Sequence, residues 1–355
     1  MDLKRRKSLI LLILLLVSIV LSPTVFAVDE SSIVNEVGYI YEIQFPENQI
    51  EESGALKLKM TSGQTQTIPV KIRNLGSEEL VLELSLNGAR TNGGGGLEYG
   101  PSKFNKDSSM KFDLPDLAKI PEEITVAAKD EGFFDIKIEM PEIPFDGIVT
   151  GGVQLQSKNQ PGAEGETTTI VNKIAYLFGM TLQMTEKALE PKLELKKVYP
   201  ELENYRNAIF LDVSNLQAMK IDGLTLDVEI MKQGSKDVSY SSKKNNMEMA
   251  PNTLMSYPVG LGGAPMEAGN YTAHVLASAQ GGEWEWDKDF TITKEQADQF
   301  NQEDVNLVQE KGIEWKWIAL IVGVGIVTVG VGAGIKGLIK KERAANKKKS
   351  KNKKR

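Results

Sequence analysis

The chain has no cysteine and a single histidine, His274, in 355 residues. Without thiols there can be no disulfide framework and no thiolate metal site. One imidazole rules out a His-rich metal centre and leaves any Ser–His mechanism to His274 alone. No G-x-S-x-G turn is present, so the nucleophile elbow of an α/β-hydrolase is missing. Two S-x-x-K matches, Ser108–Lys111 and Ser241–Lys244, lack the companion S-D-N and K-T-G motifs. Amphipathic helical periodicity is scarce before residue 294, which excludes a helical bundle or a doubly wound α/β body. These absences leave no catalytic residue, no metal and no cofactor to nominate.

What is present begins at the ends. Lys4, Arg5, Arg6 and Lys7 precede an apolar run from Leu9 to Leu21, with Val25 and Ala27 as the small residues of a cleavage site. This is the pattern of a secretory signal peptide, residues 1–27. At the other end, residues 317–335 carry no charge, and about 20 helical residues cover the roughly 30 Å hydrocarbon layer of a bilayer. Trp315 and Trp317 stand at one edge, where indoles favour the headgroup region, and a Lys/Arg-rich tail (336–355) stands at the other. The expectation is a single-pass cell-membrane protein with its ectodomain outside, a transmembrane helix over 315–335 and a cytoplasmic C-terminus.

GAGIKG at 332–337 spells a dinucleotide fingerprint. It follows this apolar run, however, with no strand before it and no βαβ unit after it, so nucleotide binding is excluded by context. Gly330 and Gly334 instead form a GxxxG pair of the kind that lets membrane helices approach. No LPxTG-like motif precedes Trp315, so transfer to the wall is not expected. Removing the two ends turns the modest overall charge of −6 into about −20 for residues 28–314. That charge opposes nucleic acid as a partner.

The ectodomain alternates with period two. Strands are expected in ALKLKM (55–60), QTIPVKIRN (66–74), ELVLELSLNG (79–88), FFDIKIEM (133–140) and VTGGVQLQ (149–156), with turn residues between them. A polar hairpin tip is expected at 157–168, and KALEPK (187–192) reads as a domain boundary. A second β series follows, including NAIFLDVSN (207–215), LTLDVEIM (224–231), NYTAHVLASA (270–279) and WEWDKDFTI (284–292). The fold class expected is all-β, two tandem immunoglobulin-like sandwiches at 28–187 and 188–293, then a short helix or polar stalk at 294–314, where Ala297, Phe300 and Val308 give partial helical spacing. IPVKIRNLGSEELVLEL (68–84) faintly echoes IFLDVSNLQAMKIDGLTLDVEI (209–230): each has a strand ending in Asn-Leu, a turn and another alternating strand.

Candidate chemistry is thin. Alternation puts Trp284 and Trp286 on the core side with Phe290 and Ile292, and Glu283, Glu285, Asp287 and Asp289 on the solvent side. His274 shares a face with Thr272 and Ser278. TNGGGGLEYG (91–100) lacks the lysine of a phosphate-binding loop and reads as a mobile, glycine-rich turn between strands.

FPENQI (45–50), SGQTQTIPVKIRN (62–74), ARTNGGGGLEY (89–99), KIEMP (137–141) and GIVTGGV (147–153) resemble the first domain of the WxL-interacting proteins of Gram-positive bacteria. MAPNT (249–253), AGNYTAHV (268–275) and WEWDKDFTIT (284–293) resemble that family's second domain. The resemblance implies a non-enzymatic surface protein whose first domain binds peptidoglycan. Its second domain would bind secreted WxL-domain proteins or host ligands such as extracellular matrix proteins. Carried onto this chain, the family-like polar positions are Asn48, Gln49, Thr91, Asn92 and Tyr99; where the family tends to have Asn-Gly, this loop has Gly94 and Gly95. The alternatives are a wall-glycan-modifying enzyme and a direct host-matrix adhesin.

Overall fold

The computed structural model describes residues 38–51, 53–104, 106–158 and 175–307. The signal segment, most of the hairpin tip at 157–168, the expected membrane helix with Trp315, Trp317, Gly330 and Gly334, and the basic tail lie outside them. Among the described residues no helix is long and apolar enough to cross a membrane.

The body is all-β. Its first part contains β1 (Tyr39–Ile43), β2 (Leu56–Lys59), β3 (Thr65–Asn74), β4 (Leu80–Gly88) and the short β5 (Arg90–Thr91) and β6 (Leu97–Glu98). A one-turn helix α1 (Leu114–Leu117) follows, then β7 (Ala118–Lys119), β8 (Glu123–Val126), β9 (Glu131–Glu139), β10 (Ile148–Ser157) and β11 (Ala175–Gln183). They form two facing sheets, ordered β1-β3-β9-β7 and β2-β11-β10-β4-β8. All pairings in these sheets are antiparallel except β11 with β2. Alternation decides which side chains enter the core: Ile68, Val70 and Ile72 from β3 meet Val153 and Leu155 from β10 and Met180 and Leu182 from β11. Tyr39 is fully buried there and donates its hydroxyl to the Leu155 carbonyl at 2.8 Å.

The second part runs β12 (Leu193–Glu203), β13 (Arg206–Asn215), β14 (Ile221–Lys232), β15 (Val238–Met249), β16 (Leu254–Gly260), β17 (Gly269–Ala279), β18 (Gly282–Ile292) and α2 (Lys294–Glu303). Its sheets are β12-β13-β16 and β15-β14-β17-β18. Leu224, Leu226, Val228 and Ile230 pack against Ile209, Leu211 and Val213. Trp284 and Trp286 lie against this core, as their alternation with Phe290 implies.

The sequence echo marks one corner made twice. Asn74 and Asn215 each end a strand and are buried. Each amide donates four residues on, to the carbonyl of Glu78 or Met219, and each side-chain oxygen accepts from the backbone two residues on, at Gly76 or Gln217. Asn74 also donates to Val126 and Ala127, and Asn215 to Ala250, tying each corner to a neighbouring loop.

Of the short helix or stalk expected here, the structure shows a helix, and as far as residue 307 the segment is docked on the second sandwich. Thr293 caps α2 with Gln296 in a capping box, and Ala297 is buried against the second core. The buried Asp304 accepts the Asn207 amide hydrogen at 2.7 Å. Asn301 exchanges hydrogen bonds with the Met266 backbone. Polar composition concealed this docking because it runs through amides and carboxylates more than through apolar side chains.

Candidate functional site

The segment between β4 and α1 carries three of the sequence-nominated residues, and the structure places it between the two sandwiches. Gly88 makes room at its base: a Cβ there would lie 1.5 Å from Asp113 Oδ1. Asp113 caps α1 and holds Arg90 through two bonds, at 2.6 and 3.2 Å, with Lys106 at 3.0 Å. Burial, the largest single influence, pushes this carboxyl up. The hydrogen bonds and charges of Arg90 and Lys106 together outweigh it and hold Asp113 below the ordinary carboxylate range.

Thr91 is 1% exposed and closes a hydrogen-bonded ring with the second domain. The Ala250 amide donates to Thr91 Oγ1 at 2.9 Å, Thr91 and Thr253 hydroxyls lie 2.6 Å apart, and Thr253 donates to the Ala250 carbonyl at 2.8 Å. With Thr253 donating to that carbonyl, the Thr91 hydroxyl is the donor to Thr253. Asn92 turns back on its own loop, its side-chain oxygen accepting from Gly94 and Gly96 at 3.0 Å each.

The glycine run is pinned. A Cβ on Gly93 would sit 2.6 Å from the Ser256 carbonyl oxygen of β16, and one on Gly95 would sit 2.5 Å from the Met247 side chain of β15. Gly95 has φ +71° and accepts from the Glu248 amide at 2.8 Å. The mobile turn expected here is therefore a plug. Its glycines let one domain's backbone lie directly on the other's strands.

Asp107 makes the third tie. It is 5% exposed, accepts from the Ser214 hydroxyl, and meets Lys196 Nζ at 3.0 Å and the Ser109 amide at 2.8 Å. Burial pushes the Asp107 carboxyl up, but the bonds from Ser214, Ser109 and Lys196 outweigh it and leave it below the usual value. Tyr99 is half-buried beside Gly152, and burial pushes its phenol up. A further contact lies at Gly147, φ +87°, whose neighbour Ile148 donates to the Ala218 carbonyl at 2.7 Å. Thr91, Asn92 and Tyr99 are thus brought together, but in a joint between domains and not on an open surface.

Asn48 and Gln49 lie elsewhere, beside β2, where Asn48 donates to the Lys59 carbonyl at 2.9 Å. Gln49 is held by the Lys57 amide and donates to the Glu51 and Ala55 carbonyls, so its amide fixes the 48–58 loop. Asn48 exchanges side-chain bonds with Gln66 at 2.9 and 3.0 Å. Gln66 borders an open groove of about 470 Å³ where β3, β7, β9 and α1 meet. Thr65, Thr67, Asp116, Lys119, Lys137 and Glu139 also line it. Asn48 is thus tied to this groove through Gln66. Lys119 and Lys137 were not nominated, and the one sequence signal for them is their place on the polar faces of β7 and β9.

On the second domain, the outer face of the β15-β14-β17-β18 sheet carries Asp227, Glu283 and Glu285 around the exposed Leu276, with a groove of about 450 Å³. His274 stands on this face, 2.8 Å from Asp287 and 3.7 Å from Glu285.

Residues 39–157 match the family model described as WxL Interacting Protein, peptidoglycan binding domain. Residues 165–302 match WxL Interacting Protein, host binding domain. The second match begins ahead of β11, a strand that here closes the first sandwich. No curated protein matches the chain. Among solved structures, the CupB2 chaperone of Pseudomonas aeruginosa is 11% identical, covers 62% of this chain and 91% of its own, and has a TM-score of 0.24. The E. coli chaperone DraB is 11% identical over 72% of this chain and 98% of its own, TM-score 0.26. The seventh PapD-like domain of human CEP192 is 11% identical over 47% of this chain and 97% of its own, TM-score 0.26. Likeness at this level carries no statement about function.

Proposed function

The chain belongs to the WxL-interacting proteins, and from that membership we propose a membrane-anchored surface protein. It holds peptidoglycan through its first domain and recruits a secreted WxL-domain protein through its second. The observation that carries this reading is the succession of the two family matches, one over each β-rich half. The anchoring part rests on the uncharged 317–335 run between Trp315/Trp317 and the basic tail.

The joint supports a scaffold. Its buried bonds set one sandwich against the other, so a partner held by the second domain stands at a fixed offset from the wall. Mixing purified protein with insoluble peptidoglycan tests the reading: co-sedimentation without release of soluble fragments is expected. Fragment release would replace it with a wall-modifying enzyme. Recovery of the intact protein from the cytosol would end the anchoring part. The description of the second domain as host-binding favours one other reading, a direct host ligand; binding to matrix proteins with no bacterial partner present would support that instead.

A further inference from the structure

The groove on the first domain holds charge that its surroundings leave unspent. Lys119 of β7 lies directly opposite Lys137 of β9, and Thr67 of β3 opposes Lys137 on the other side. Like charges in register on neighbouring strands repel. Elsewhere on the same sheet face a lysine has its carboxylate, as Lys71 has Glu131 at 2.8 Å. Among the described residues Lys137 closes no ion pair, and Lys119 reaches only the Pro115 carbonyl, at 2.5 Å.

Glu139 follows two residues along β9, opposite Thr65, and is likewise without an ion pair among the described residues. Strand rise puts Lys137 and Glu139 about 7 Å apart along one face. The groove therefore offers a cation pair, an anion one step away, and two threonine hydroxyls between β3 and β9. None of the groove-lining residues is aromatic, so no ring is set to stack on a sugar.

We propose that this groove takes the carboxylate end of a peptidoglycan peptide stem, not the glycan strand. Lys119 and Lys137 hold the carboxylate, and Glu139 holds an amino group of the same peptide. The proposal rests on the reading that the first domain binds peptidoglycan, and it names where and by what chemistry. Charge complementarity selects the occupant: Asp116 is committed to the Asp113 amide at 2.8 Å, so a short zwitterionic peptide matches the two cations and Glu139, whereas a polyphosphate would meet both carboxylates unfavourably.

The test uses the purified full chain in detergent and two soluble muropeptides, one ending in a free carboxylate and one in a carboxamide. Wild-type protein should bind the free acid about ten- to a hundredfold more tightly than the amide, the span expected for charge-assisted hydrogen bonds. K119Q/K137Q should lose that preference with its melting temperature unchanged or raised, since a repulsive pair has been removed. E139Q should weaken the free acid while keeping the preference over the amide. Equal binding of acid and amide by wild-type protein overturns the proposal without needing any variant. Full binding by K119Q/K137Q overturns it as well and leaves the wall-binding reading standing. Retention only by walls that still carry teichoic acid would make the ligand a phosphate polymer and overturn it. Failure of wild-type protein to bind any wall material would overturn both.

Discussion

Thr91→Val tests whether the two domains are locked as described. The substitution keeps the shape and removes one hydroxyl. That hydroxyl accepts from the Ala250 amide and donates to Thr253, at 2.9 and 2.6 Å, inside a region where Thr91, Ala250 and Thr253 are 1% exposed or less. Valine therefore leaves the Ala250 N–H dry and unpaired, at a cost of about 1–3 kcal/mol, while Thr253 keeps its own bond to the Ala250 carbonyl. Taking about 2 kcal/mol, local opening of the joint should be roughly thirtyfold more frequent. The assay is amide hydrogen exchange on the full chain, resolved to residues 246–252. Ala250 exchange should accelerate by that factor, Thr91→Ser should restore most of the protection, and β3 and β14 should not change. In a cycle with Thr253→Val the two substitutions should be non-additive by about 0.5 kcal/mol or more, because they share one bond. Unchanged Ala250 protection in Thr91→Val would refute the joint.

Gly95→Ala should cost the joint about 2–4 kcal/mol, since it combines a left-handed backbone at φ +71° with a Cβ 2.5 Å from Met247; faster exchange at Glu248, whose amide bonds Gly95, is the readout. Gly147→Ala meets the Ala218 carbonyl at 2.1 Å and should loosen the same joint from its other side, seen as faster exchange at Ile148. Asp107 and Asp113 have folded-state values held below the ordinary one, so their contribution is present above the unfolded carboxylate value of about 3.9 and is lost as pH falls through the folded values. Melting at descending pH should show the joint failing below about pH 4, and Asp107→Asn should flatten that dependence. Asn74→Ala removes the donor for three carbonyls at one corner and should lower stability by about 2–3 kcal/mol in urea titration.

The fold was legible where burial follows alternation. In β3, Ile68, Val70 and Ile72 point inward and their neighbours outward, as the period-two reading requires. The Asn-Leu echo was legible too, because a buried amide that must satisfy carbonyls four residues on has few substitutes. The site was less so. Thr91 and the glycine run were noticeable, but their role depends on Met247, Thr253 and Ser256, more than 150 positions away. No local pattern encodes that pairing. Lys119 and Lys137 escaped for the same reason: their opposition exists only in the register of β7 against β9. The stretch after residue 293 read only as a short helix or stalk because Asn301 and Asp304 are polar; the burial of Asp304 and half-burial of Asn301 follow from partners on β13 and in the 261–268 turn.

A joint of hydroxyls, amides and carboxylates does something an apolar one does not. Apolar faces can slide past one another while staying buried, so they hold two domains together without fixing an angle. The ring of Ala250, Thr91 and Thr253 and the contacts of Asp107 tolerate no such shift, because each displaced donor is stranded away from water at about 1–3 kcal/mol. Such a joint adds little net stability yet makes one orientation steeply preferred. Its glycine plug has a consequence that can be measured. Within the first domain residues 92–96 are ordered only by the loop's own bonds, from the Asn92, Gly94, Gly95 and Gly96 amides, and these must offset the large freedom that glycine loses on folding. A chain truncated before residue 190 should therefore keep slow exchange across β3 and β9 while 91–96 exchange freely. If those amides stay protected without Met247, Ala250 and Thr253 to rest on, the first domain orders its own loop and the second domain is only a bystander to it.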